Sequence, residues 1–236
     1  MKDSFENIFA DVNKVLIVMA HPDDAEITCG GLMARLRSLN KELKLVITTN
    51  GSKGSQSRND LPEAELKSFR FKEQMQALSV LGLGSEDYIN LDCNDGEIEY
   101  SYANVGKIVK EIRIFKPDLI ITHNPQDVII KFSNTTSWVN HHDHRITGLL
   151  TLDAAYPFSR DTNFFPEHLS ELNPHTVKKL LISDSYLKEN KVGFNYTSFL
   201  NNKRELLKSF KTQIAEDHIA GYLEDDLIGN EYFEVF

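Results

Sequence analysis

Residues 15–31 read VLIVMAHPDDAEITCGG. An apolar run of about strand length breaks into a polar turn, and apolar residues at helical spacing resume over 28–39, so the order is strand, loop, helix. The turn therefore stands at the carboxyl end of a buried strand, where open α/β sheets bind ligands. His21 and Asp24 are metal-ligand types. Asp23, between Pro22 and Asp24, points elsewhere and is free to act on a water. A plainer reading competes: Asp23 or Asp24 caps the helix by accepting backbone N–H bonds. One acid suffices for that role, and two stand here beside a histidine.

Working outward, residues 43–49 read as a second strand, followed by a polar, glycine-containing loop over 50–61 that is too long for a simple turn and suits an active-site loop. Over 62–81 the spacing predicts a helix whose apolar arc holds Leu66, Phe69, Ala77, Val80 and Leu81. Arg70 and Glu73 fall inside that arc. Charges facing a core need each other, another partner or a ligand. A strand over 88–91 runs into an Asp95-Gly96 turn. Val105, Ile108, Val109, Ile112 and Phe115 mark a helix ended by Pro117, and a strand over 118–122 runs into His123-Asn124-Pro125-Gln126-Asp127.

After a linking loop over 126–139 comes Asn140-His141-His142-Asp143-His144, then a helix over 145–156 stopped by Pro157. Residues 158–177 read as irregular, 178–183 as a strand, and Phe199, Leu206, Leu207, Phe210 and Ile214 as a last amphipathic helix. The acidic stretch 216–234 shows no readable pattern. Strands alternating with helices predict a mostly parallel sheet with right-handed crossovers.

The 236 residues suit one domain, 1–236. With 26 Lys+Arg against 35 Asp+Glu, a net charge of -9 argues against nucleic acid as a partner. A small anionic ligand is compatible with it. Cys29 and Cys93 fit a reducing compartment better than a disulfide framework. The opening MKDSFENIFADVNK is neither signal peptide nor anchor, and no window reaches the roughly 18 apolar residues that span a bilayer. The expectation is a soluble, cytoplasmic protein with no membrane span, and a homo-oligomer stays open.

The two polar clusters together permit metal chemistry. His21, Asp24 and one histidine of the second cluster make a two-His, one-carboxylate set that leaves a zinc position open for water. In an extended segment His141 and Asp143 share a face, so Asp143 could orient the imidazole. His144 is then the third ligand. Asp23 is placed to take the water's proton, and His141 to stabilise an oxyanion and protonate a leaving amine, which favours its protonated form.

HPDDAE and HHDHR, in that order and strand context, resemble the PIG-L/LmbE family of zinc-dependent N-deacetylases, which act on N-acetylglucosamine conjugates. Gly30-Gly31, Arg70-x-x-Glu73, Asp95-Gly96, THNP at 122–125 and the closing EYFEVF extend the likeness over most of the chain. The resemblance implies zinc on His21, Asp24 and His144, Asp23 as general base, and His141 with Asp143 as electrophile and orienter. It also implies substrate contacts from Arg70 and Asp95. Iron(II) suits the same ligands. The implied fold is a Rossmann-like three-layer α/β sandwich without a dinucleotide, since no GxGxxG follows the first strand. The implied partner is a small-molecule aminosugar conjugate. Hydrolysis of another acylated small molecule is the runner-up, and a non-catalytic metal-binding α/β module a third reading.

Overall fold

The computed structural model describes residues 3–54, 61–224 and 229–236. The predicted loop 50–61 and the acidic stretch 216–234 therefore lie partly outside the described residues. In chain order the strands are β1 (Lys14–Met19), β2 (Glu42–Thr49), β3 (Tyr88–Cys93), β4 (Leu119–Thr122), β5 (Ile129–Lys131), β6 (Ser137–Val139), β7 (Lys179–Ile182), β8 (Val192–Asn195) and β9 (Asn230–Val235). The helices are α1 (Phe5–Phe9), α2 (Asp24–Ser38), α3 (Glu63–Val80), α4 (Tyr102–Phe115), α5 (His142–Asp153), α6 (Leu200–Leu207) and α7 (Ile219–Glu224).

The central sheet runs β3-β2-β1-β4-β7-β9-β8. Its first five strands are parallel. β9 pairs antiparallel with β7 and with β8. Alternate residues of the parallel strands face two cores. Val15, Ile17 and Met19 of β1 pack with α2 and α6 on one side, while Leu16 and Val18 pack with α4 on the other. The result is the expected three-layer α/β sandwich, with the chain leaving β1 for β2 and β3 on one flank and returning to β4 on the other. That reversal opens a crevice at the carboxyl ends of β1 and β4.

Several elements depart from the sequence reading. α2 starts at Asp24 instead of 28, because two helical pieces meet at a kink where Cys29 has φ −139° and ψ 21°. The second piece is the one with readable periodicity. At the kink, Gly31 and Leu32 donate their N–H groups to the Glu231 carboxylate at 2.9 and 2.7 Å. Lys203 Nζ meets the same carboxylate at 2.9 Å, with both side chains fully buried. A side chain from the unreadable acidic stretch thus caps a helix at the other end of the chain.

Four strands went unread. β5 and β6 form a separate antiparallel hairpin within the predicted loop 126–139. β8 is four residues long. β9 buries Glu231, Tyr232 and Phe233 in succession, so it shows no alternation. No helix among the described residues is long and apolar enough to cross a membrane.

Removing one partner of a buried ion pair strands the other charge, at a cost of about 3–5 kcal/mol. Glu231→Ala should therefore lower stability by about that amount in urea unfolding, and a change below about 1 kcal/mol would show that the capped kink is dispensable.

Candidate active site

β1 delivers its polar turn into the crevice through a strained residue: Asp23 has φ 102°, the left-handed region that a non-glycine residue adopts at a cost. Asp23 makes no side-chain cap to α2, and Asp24 Oδ2 instead accepts from the His21 N–H at 2.7 Å. The helix-cap explanation of the paired acids is thus absent from the structure.

Asp24 is buried and faces three imidazoles. His21 Nδ1 and His123 Nε2 each lie 3.2 Å from its Oδ2, and His144 Nε2 lies 3.2 Å from its Oδ1. The His123 and His144 rings stack with centroids 3.9 Å apart and planes at 9°. Ala20 donates its N–H to His123 Nε2 at 3.1 Å, and one ring nitrogen cannot both accept there and donate to Asp24. Two acceptor atoms facing each other in a buried site suit a cation. The 3.2 Å separations also approach the ~3.3 Å between two ligands of a tetrahedral zinc whose bonds are ~2.0–2.1 Å.

Among the described residues, three sets of side chains bring ligand atoms within 4.8 Å of one another: His21 with His141 and His144, Asp24 with His123 and His144, and His21 with Asp95 and Asp143. The predicted triple of His21, Asp24 and His144 spans the first two. His123 is the member the sequence reading passed over. Its signal was the same as that of His21, a polar residue directly after a buried strand.

The second cluster is arranged differently from the expectation. The segment at 141–143 is not extended, since α5 begins at His142. The Asp143 carboxylate accepts from the Gly96 N–H at 2.7 Å and faces His21 Nε2 at 3.1 Å, so it orients His21, not His141. His141 is held by the main chain: Asp143 N–H donates to its Nδ1 at 3.1 Å. In the neutral ring this leaves the proton on Nε2. Burial, reinforced by the nearby His21, lowers the His141 pKa, which opposes the protonated form expected from the sequence.

Asp95 completes the surroundings of His21. Its Oδ1 lies 3.4 Å from His21 Nε2, while its Oδ2 accepts from Lys53 and Gly54 N–H at 2.9 and 3.2 Å. Burial opposes its ionisation, but these bonds and His21 hold it well below the usual carboxylate range.

The two adjacent acids are driven apart. Burial works against the Asp24 carboxylate, yet His144, His21 and His123 hold its pKa well below normal. At Asp23 burial prevails over Arg70 and, helped by the charge of Asp24, pushes the pKa up to about 7. Arg70 is itself buried. It bonds Gln213 Oε1 at 2.8 Å, approaches Asp23 Oδ2 at 3.3 Å and donates to the Pro22 carbonyl. Glu73 does not pair with it, accepting instead from the Thr212 N–H and hydroxyl at 2.8 and 2.6 Å. Both helix-arc charges thus have partners from the stretch 209–214.

These groups open onto a cleft of about 230 Å³ whose walls include His21, Asp23, Asp24, Asp95, His141 and His144, with Ile27, Gly54, Arg70, Gln213 and Tyr222. Residues 16–155, which contain both polar clusters, match the family described as GlcNAc-PI de-N-acetylase, PIG-L. The chain belongs to the PIG-L family. Diacetylchitobiose deacetylase of Thermococcus kodakarensis is 28% identical to it over 190 residues, covering 80% of this chain and 62% of that protein. A 1D-myo-inositol 2-acetamido-2-deoxy-alpha-D-glucopyranoside deacetylase of Corynebacterium diphtheriae is 31% identical over 132 residues, covering 48% of this chain and 45% of that one. The chain thus matches less than two thirds of the length of either relative. Among solved structures, N,N'-diacetylchitobiose deacetylase of Pyrococcus horikoshii, complexed with its inhibitor MPG, superposes with a TM-score of 0.82 at 25% identity, covering 98% of this chain and 86% of that one.

In this PIG-L chain the His123–His144 stack depends on α5 lying against the end of β4. A Cβ on Gly148 would stand 2.4 Å from the His123 carbonyl oxygen. Gly148→Ala should cost about 1–3 kcal/mol by overpacking, read as a lowered urea midpoint. An unchanged midpoint would mean that the helix can move away freely.

Proposed function

We propose that the protein is a zinc-dependent N-deacetylase that hydrolyses the 2-acetamido group of an N-acetylglucosamine-type conjugate to acetate and a free amine. The observation that carries this reading is the pair of adjacent acids with opposite environments: Asp24 ringed by imidazole nitrogens, and Asp23 buried beside it with its pKa pushed up to about 7. One suits a cation and the other a proton. The named deacetylases among its relatives support the substrate class.

His21, Asp24 and His144 would hold the ion, with His123 packed behind Asp24. When bound, zinc polarises a carbonyl and makes water nucleophilic near neutral pH. Asp23 accepts the proton of the attacking water, the function its raised pKa suits at neutral pH. His141, with its Nδ1 occupied by the Asp143 N–H, presents Nε2–H to the oxygen that gains charge as the tetrahedral carbon forms. As the C–N bond breaks, Asp23 returns its proton to the leaving amine. Arg70 fixes Asp23 and the backbone before it, a positioning role that fits its burial better than direct contact with a sugar. Asp143 and Asp95 hold His21 from the other side.

Zinc-loaded protein should release acetate from a panel including di-N-acetylchitobiose and N-acetylglucosaminyl-inositol, and chelation should abolish the release. No acetate from any member would overturn the assignment. Because Asp23 is the base and not a ligand, Asp23→Ala should keep stoichiometric zinc while kcat drops by about a hundredfold or more. Loss of the metal in that variant would show that the two acids had been given the wrong roles.

A further inference from the structure

Eight of the eleven residues lining the cleft are acids, imidazoles, a guanidinium or an amide. Among the described residues lining it, Ile27 and Tyr222 alone offer a large apolar surface. Ile27 stands one helical turn beyond Asp23, its N–H bonded to the Asp23 carbonyl at 2.9 Å. Tyr222 comes from α7, near the far end of the chain. Both are half-buried and pack on the same core. Tyr222 and Ile27 line the same cleft as Asp23 and Asp24.

An acyl group brought to these acids carries a polar carbonyl and an apolar tail. The carbonyl belongs with Asp24, Asp23 and His141. The tail has no hydrogen bonds to make and would desolvate charge if laid against Asp95 or Arg70, which disfavours that side. We infer that Ile27 and Tyr222 form the wall against which the acyl tail packs, and that this wall sets the length of acyl group the site accepts. The inference rests on the amidohydrolase reading for its reaction, but the wall itself can be tested by binding alone.

The test compares acetyl, propionyl and butyryl amides of one aminosugar with zinc-loaded, full-length protein. One methylene that does not fit an apolar pocket changes kcat/KM by roughly 10–200-fold. Wild type should therefore lose about tenfold or more per added methylene, and Tyr222→Ala and Ile27→Ala should each raise the butyryl-to-acetyl ratio by about tenfold or more. Tyr222→Phe, which keeps the ring, should hold the wild-type ratio, and Ile27→Val should shift it in the same direction as Ile27→Ala but less. These two conservative changes secure the comparison should the alanine variants fold poorly.

The second readout needs no turnover. Acetate should bind wild type more tightly than butyrate, with that preference lost in the alanine variants. Ratios and acid preferences that stay at wild-type values in all the cavity-enlarging variants would overturn the wall. Should wild type cleave none of the amides while holding zinc, the hydrolase reading falls, and the acid preferences still decide for or against the wall.

Discussion

Asp24 is a buried carboxylate that three histidines approach from three different parts of the chain: His21 from the turn after β1, His123 from the end of β4, and His144 from the first turn of α5. A buried charge is tolerated only when it is paired. Pairing it here requires β1 and β4 to be neighbours in register, α5 to lie against the end of β4, and the turn after β1 to bend sharply enough to bring His21 back over Asp24. The backbone strain at Asp23, with φ 102°, sits where that bend is made. Strand order, helix placement and backbone strain all answer to one carboxylate.

The same geometry separates the two acids in function. Asp24 takes the imidazoles, which leaves Asp23 with Arg70 as its ion-pair partner. Arg70 is in turn shared with the Pro22 carbonyl and Gln213, so its charge is insufficient to offset the burial of Asp23. Two identical side chains one residue apart therefore end with pKa values displaced in opposite directions, an arrangement that lets neighbouring carboxyl groups do different chemistry at one pH. His141 is tuned by similar economy. Its acceptor nitrogen is taken by a backbone N–H, so it remains a neutral donor among acids and needs no carboxylate of its own.

What could be read from the sequence follows from what periodicity reports. Residues 15–19 of β1 and 119–121 of β4 are buried on both faces and appear as uninterrupted apolar runs, and β2 and β7 are mostly apolar although Lys44 and Lys179 stand in them; α3 and α4 show their buried arcs directly. Polar clusters directly after such runs point to the site, which is how His21, Asp23, Asp24 and the group at 141–144 are found. Tertiary partners leave no such trace. The start of α2 was hidden because its first turn is mostly acid and alanine, and its second piece is capped by Glu231, 200 residues from Gly31. The partner of Asp143 was misread because a spacing of two implies a shared face only in a strand, and this segment is the start of a helix. His123 carries the same strand-end signal as His21, but its cluster holds one histidine and no acid before Asp127, so it shows no ligand set of its own.

The last part of the chain shows why a stretch with no readable pattern need not be idle. From the stretch 209–214, Thr212 binds Glu73 and Gln213 binds Arg70, so it supplies the partners that two charged residues on a core-facing arc required. Tyr222 joins Ile27 in adding an apolar side chain to a cleft lined largely by polar residues, and Glu231 fixes the helix that begins at Asp24. Each of these residues acts through long-range contacts and not through a repeating face, so periodicity has nothing to detect. The polar clusters supply the reacting groups. The contacts that orient those groups and bound the space beside them come from segments whose purpose appears only once the chain has closed on itself.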